Sequence, residues 1–153
     1  MRLRLIWVGK TRSGPLRSLV DDYLRRLARF ARCEVTELRE GAAADDRAVL
    51  AEEGKRITDA LAAGSFVVLL DVEGRPVSSP EVAAELERWQ NEGRKEVAFV
   101  VGGHLGVSGE VMARADVRWS LSRLTLTHEM ARVVLAEQLY RGFTILRGLP
   151  YQK

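Results

Sequence analysis

VAFVVGGHLGVS, residues 97–108, decides the fold. Its first five residues are all apolar. So short a run with no polar position suits a strand buried on both faces, as in the middle of a parallel sheet. Gly102 and Gly103 follow at once. Glycine there lets the backbone turn tightly and approach a ligand, although a plain turn uses the same pair. Ser108 then offers a cap for a new helix.

The same grammar extends outward. FVVLLD at 66–71 is a second run, apolar throughout up to its closing Asp71, RLRLIWV at 2–8 alternates and stops at Gly9, and CEVTEL (33–38) and VRWSLS (117–122) read as shorter strands. Between them lie helices. Leu16, Leu19, Val20, Tyr23, Leu24, Leu27 and Phe30 form a helical stripe behind Pro15. A second helix runs from about Asp45 to Ala63, closed by Gly64, and a third opens at SSPE (78–81) and ends near Gly93. A short helix starts at Ser108 and a last one runs from Thr127 to about Leu146. Strands and helices alternate throughout, which predicts a single α/β domain over residues 1–153, a mostly parallel sheet with helices on both faces. Ligands of such sheets sit beyond the carboxyl ends of the strands. The loops after Leu70, Val101 and Trp119 qualify.

Composition narrows the class. Hydrophobic content of 46% and charged content of 29% describe a folded globular chain. No run approaches the ~20 apolar residues of a membrane helix, and the N-terminal segment reads as a strand, not a signal peptide. Cys33 stands alone, so no internal disulfide forms and a reducing cytoplasm is expected. The net charge of +3 conceals 20 arginines against 4 lysines. Arginine suits phosphate and stacks on bases, so the balance permits a nucleic-acid partner, although genome composition produces the same bias.

Familiar motifs fail on inspection. GKT at 9–11 resembles the tail of a phosphate-binding loop whose first glycine would fall on Arg4. GVSGE lacks the closing glycine of a nucleophile elbow, which Glu110 replaces. GGHLG is not a dinucleotide fingerprint, and one cysteine with two histidines makes no convincing zinc site. No metal is expected.

SLSRLTLTHEMARVV, residues 120–134, is stranger. A strand-like piece with Leu121, Leu124 and Leu126 runs straight into a helix with His128 in its first turn. That helix is apolar nearly all round, with Met130, Val133, Val134, Leu135, Leu139, Tyr140, Phe143 and Ile145. Its polar residues Arg132, Glu137, Gln138 and Arg141 share no single face, so it is expected to be enclosed on two sides. The sheet is expected to supply one side and a second copy in a homodimer the other.

Taken together, LDVEGRPVSSPEVA, VVGGHLGVS, SLSRLTLTHEMARVVLAEQLYRGFTILRG and the terminal PYQK resemble the RlmH family across the whole chain. Those are SPOUT-class methyltransferases that methylate N3 of a pseudouridine in bacterial 23S rRNA. The resemblance implies an α/β trefoil knot, with the C-terminal segment threading a loop. It implies S-adenosylmethionine held by Leu70, Gly103 and the stretch Ser122, Arg123, Leu124, Thr125, Leu126 and Thr127. It also implies a cytoplasmic homodimer acting on the ribosome. The rivals are a non-catalytic ribosome-binding protein on the same fold and a SPOUT methyltransferase acting at another rRNA or tRNA position.

Departures are local. Thr127 stands where the family has proline, and Leu105, behind His104, stands where it has an acid. Gln152 replaces the tail histidine. His128 is the candidate base or orienting donor, with simple capping or packing as the alternative. Arg141 is the candidate to stabilise the anion or bind phosphate, unless it only pairs with Glu137 one helical turn away. Tyr151 is the candidate for stacking on the unstacked base, with Lys153 beside it on RNA. The tail itself is expected to contribute little to the fold.

Overall fold

The structure, a computed structural model, describes residues 1–152. Five strands form one all-parallel sheet: β1 (Arg2–Val8), β2 (Arg32–Leu38), β3 (Phe66–Pro76), β4 (Glu96–Val101) and β5 (Val117–Ser120). Their spatial order is β2-β1-β4-β3-β5. β4 lies at the centre and every one of its residues is buried, as its unbroken apolar run requires.

The helices are α1 (Gly14–Leu27), α2 (Asp46–Ala60), α3 (Ser79–Asn91), α4 (Gly109–Arg114) and α5 (His128–Leu146). Each opens on a short polar cap: Ser13, Asp45, Ser78, Ser108 and Thr127 each accept a hydrogen bond from a backbone N–H three residues on. At α3 the bonding is reciprocal, because Glu81 returns a bond to the Ser78 N–H at 2.7 Å.

The sheet has two cores. On one face Leu3, Leu5 and Trp7 of β1 meet Val20 and Leu27 of α1, Leu86 and Trp89 of α3, and Leu135, Leu139 and Phe143 of α5. Trp89 and Trp119 stack there, with ring centroids 5.5 Å apart. On the other face Ile6, Val8, Val67, Leu69 and Val100 meet Ile57 of α2 and Val111 of α4.

Several details differ from the sequence expectation, each for a local reason. α2 stops at Ala60 because Leu61 turns extended, and Gly64 lies beyond in a separate turn. β3 continues to Pro76 past an irregularity between Leu70 and Arg75. There Gly74 passes so close to β5 that a Cβ would stand 2.8 Å from the Arg118 backbone. The strand-like piece at 121–126 is a loop. α5 is indeed enclosed on more than its sheet side, and α1 and α3 of the same chain do the enclosing. Gly142 makes the α3 contact possible, since a Cβ there would meet Leu86 at 2.8 Å. No described helix is long and apolar enough to cross a membrane.

Candidate functional site

The carboxyl ends of β3, β4 and β5 open into a cavity of about 690 Å³. Leu70 and Val72 line it from β3, Gly102 and Gly103 from the turn after β4, and Leu121 to Thr127, except Arg123, from the loop after β5. All three loops singled out in the sequence converge there. Of the residues expected to hold a cofactor, Leu70, Gly103, Ser122, Leu124, Thr125, Leu126 and Thr127 line the cavity, whereas Arg123 is exposed outside it.

The loop is held by its own polar groups. Ser122 Oγ accepts from the Leu124 N–H at 2.9 Å, and the Ser122 carbonyl accepts from Ser120 Oγ at 2.9 Å. Thr127 then caps α5, accepting from the Met130 N–H at 3.2 Å. Threonine at this position thus starts the helix through a side-chain bond.

The two glycines have different duties. A Cβ on Gly102 would stand 2.8 Å from the carbonyl oxygen of Gly106, so that residue is sterically confined. A Cβ on Gly103 would meet only Glu53 Oε2 at 3.4 Å and Val8 at 3.8 Å. Gly103 is therefore the thin wall between the large cavity and a second one of about 230 Å³, which Arg12, Glu40 and Glu53 also line. His104 and His128 belong to both cavities.

His128 is half-buried, and burial, followed by the charge of Arg132, pushes its imidazole pKa below the ordinary histidine value. It is neutral at pH 7 and so free to accept a proton. Arg132, one turn further on, is completely buried. Its guanidinium donates to the Val8 carbonyl at 2.7 Å and to Thr11 Oγ1 at 3.0 Å, and lies 5.0 Å from the Trp7 ring centroid. Glu129 Oε1 accepts from the Ser13 N–H at 3.0 Å. Together they tie the first turns of α5 to the β1–α1 loop. In the sequence Arg132 is one polar residue of the last helix among others, and Glu129 carries no pattern that marks it. The available signal was a charge set among the apolar positions Val133, Leu135 and Ala136.

Arg141 and Tyr151 lie elsewhere. Arg141 stands 13 positions beyond His128 on α5, about 20 Å along the axis. There it donates through Nε to Glu137 at 2.9 Å and lies 4.7 Å from the Tyr151 ring centroid. The Tyr151 hydroxyl donates to Glu137 at 3.0 Å and lies 3.3 Å from the Tyr23 hydroxyl, while its ring meets Tyr140 edge-on at 4.8 Å. Burial and these hydrogen bonds push the Tyr151 pKa up, so the phenol stays protonated. One chain therefore does not bring His128 together with Arg141 and Tyr151. The Gln152 side chain and Lys153 lie outside the described residues.

A family model described as "Predicted SPOUT methyltransferase" matches residues 1–152. The chain belongs to the SPOUT methyltransferase family. It is 46% identical over 153 residues to the Ribosomal RNA large subunit methyltransferase H of Syntrophotalea carbinolica, covering 99% of this chain and 98% of that protein. The protein of the same description from Gloeobacter violaceus is 45% identical over 151 residues, covering 99% and 98%. That from Sorangium cellulosum is 42% identical over 151 residues, covering 99% of both. In this SPOUT methyltransferase, then, the groups that converge beyond the sheet are a loop-walled cavity and a neutral histidine. Among the described residues no group of three or more His, Cys, Asp or Glu could hold a metal.

Proposed function

We propose that the protein transfers the methyl group of S-adenosylmethionine to N3 of a pseudouridine in 23S rRNA, working as a homodimer on the ribosome. The observation that carries this reading is the cavity beyond β3, β4 and β5 with neutral His128 in its wall. The residues present fit the cofactor. Leu70, Val72, Met112 and Leu126 offer apolar walls to an adenine ring, while the turn at Gly102–Gly103 and the 122–127 loop offer backbone polar groups. In this reading the same loop is the part of the chain that forms the C-terminal knot of the class.

When bound, the cofactor supplies an electrophilic methyl group. The chain's own residues handle the rest. The N3 proton of the base lies between two carbonyls, so its loss leaves a delocalised anion. His128 accepts that proton, and Arg141 answers the negative charge on the carbonyl oxygens. Tyr151 stacks on the base after it leaves its helix. Bound in this cavity, S-adenosylmethionine would supply the methyl group to N3 and would keep the electron pair of the S–CH₃ bond on its sulfur.

The separation along α5 supports the dimer. Two copies with their α5 helices antiparallel would set His128 of one protomer near the Arg141–Tyr151 end of the other. Large apolar side chains are exposed on α1 and near both ends of α5: Leu19 is 45% exposed, Met130 38% and Leu149 43%. The test is methyl transfer from labelled S-adenosylmethionine to isolated ribosomes, followed by mapping of the labelled nucleotide. Label on N3 of a pseudouridine in 23S rRNA is expected. No transfer, or label on another atom, would overturn the reading.

A further inference from the structure

We propose that Glu53 reads the ring N–H that distinguishes pseudouridine from uridine, in the small cavity beside the cofactor pocket. The inference rests on the N3-methyltransferase reading and adds a residue that selects the substrate.

Glu53 is a carboxylate in an unusual place. It lies on α2, on the other face of the sheet from α5, and is only 5% exposed. Oε1 accepts from the Gly41 N–H at 3.0 Å, which anchors the side chain. Oε2 makes no hydrogen bond among the described residues. It faces the missing side chain of Gly103, 3.4 Å from where a Cβ would stand. The guanidinium of Arg12 lines the same cavity, but its hydrogen bonds go to Glu40, at 3.2 and 3.3 Å. Oε2 opens on the small cavity, where water reaches it in the free protein. The cavity therefore presents an acceptor that a donor on an entering ring can take up.

Size and position narrow the occupant. At about 230 Å³ the cavity is smaller than the ~300–1,000 Å³ of a whole small-molecule site, which suits one ring whose backbone stays outside. His104 and His128 line both cavities, so one edge of such a ring faces the methyl donor's pocket and another faces Glu53. The uracil ring is nearly symmetric about the line from N3 to C6. Turning it about that line exchanges N1 with C5 and one carbonyl with the other. Pseudouridine and uridine can thus present the same N3 and the same two carbonyls. They differ on one flank, where pseudouridine carries N1–H and uridine carries C5–H. Glu53 Oε2 is an acceptor suited to that N1–H. Uridine would leave it unpaired, and sites built to bond a substrate N–H discriminate strongly against analogues that lack it.

The test measures single-turnover methylation of large ribosomal subunits carrying either pseudouridine or uridine at the target position. Wild type is expected to prefer pseudouridine by at least about a hundredfold. Glu53→Gln keeps the Gly41 bond through its carbonyl but then presents an NH₂ donor to N1–H. Flipping the amide restores the acceptor and sets NH₂ against the Gly41 N–H instead. Either way the preference should fall at least about tenfold, with the loss in the pseudouridine arm. S-adenosylmethionine affinity, measured by calorimetry, should hold. Should Glu53→Gln fail to fold, Gly103→Ala sets a methyl group beside Oε2 and should lower the same ratio. A full preference in the folded Glu53→Gln variant, or in Gly103→Ala where that one is used, or a wild type indifferent to the two bases, overturns the role of Glu53 alone. A wild type that methylates neither subunit overturns the N3 reading and this inference with it.

Discussion

His128 carries two consequences of one burial. Its folded pKa lies below the ordinary 6.5, chiefly through desolvation. Between the two values the unfolded chain binds more protons than the native one, so stability rises with pH through that window. Denaturant midpoints should therefore fall as pH drops below about 6.5, and less so in His128→Ala. If neutral His128 is the proton acceptor, the single-turnover rate should fall with acid only below that depressed value. His128→Ala should be slower by about a hundredfold, with that acid limb gone. An unchanged limb would move the proton-accepting role to another group.

The glycine pair separates at the same scale. Gly102→Ala brings a methyl carbon to 2.8 Å from a carbonyl oxygen. It should cost about 1–3 kcal/mol in urea unfolding. Gly103→Ala makes ordinary contacts and should cost less than about 1 kcal/mol, whatever it does to substrate choice. Equal costs at the two positions would contradict this division of duties.

At the scale of the element, α5 spans the distance from His128 to the Arg141–Tyr151 pair. Thr127→Ala removes its cap and should cost about 1 kcal/mol, or a few degrees in Tm. The tail beyond α5 is anchored more firmly than a terminal segment usually is. Tyr151 bonds Glu137, approaches Tyr23 and packs on Tyr140, so deleting residues 150–153 costs stability instead of leaving the fold untouched. A loss of about 1–3 kcal/mol is expected in chemical denaturation, with S-adenosylmethionine affinity retained because the cavity lies at the other end of α5. A deletion that abolished cofactor binding would show that the two ends communicate.

At the scale of the whole molecule, a homodimer should sediment at about twice 17.1 kDa. Met130→Glu places a charge at an exposed apolar position of α5 and should yield monomers that lose methyl transfer. Fully active monomers would exclude a site shared between copies. A ligand selective for the native state also stabilises it, so saturating S-adenosylmethionine at ~100 times its Kd should add about 2.7 kcal/mol.

Most of the architecture was legible from residue pattern. Apolar runs at 66–70 and 97–101 can be satisfied only inside a sheet covered on both faces, and the caps at Asp45, Ser78, Ser108 and Thr127 mark helix starts through local hydrogen bonds. Those are short-range or periodic signals, written within a few residues of where they act. The three cavity-lining loops followed from strand direction, and the family resemblance lay in motifs spread over the whole chain. Other features had no local trace. Whether α1 and α3 or another copy covers α5 depends on helices packed from distant parts of the chain. Arg132 reaches Val8 and Thr11 across more than a hundred residues, and Glu53 meets Gly103 only because α2 lies under the turn after β4. A polar residue on a helix looks the same in sequence whether water or a buried cavity receives it. Only the packing of distant elements decides which, because desolvation belongs to the assembled surroundings of a group and not to the group itself.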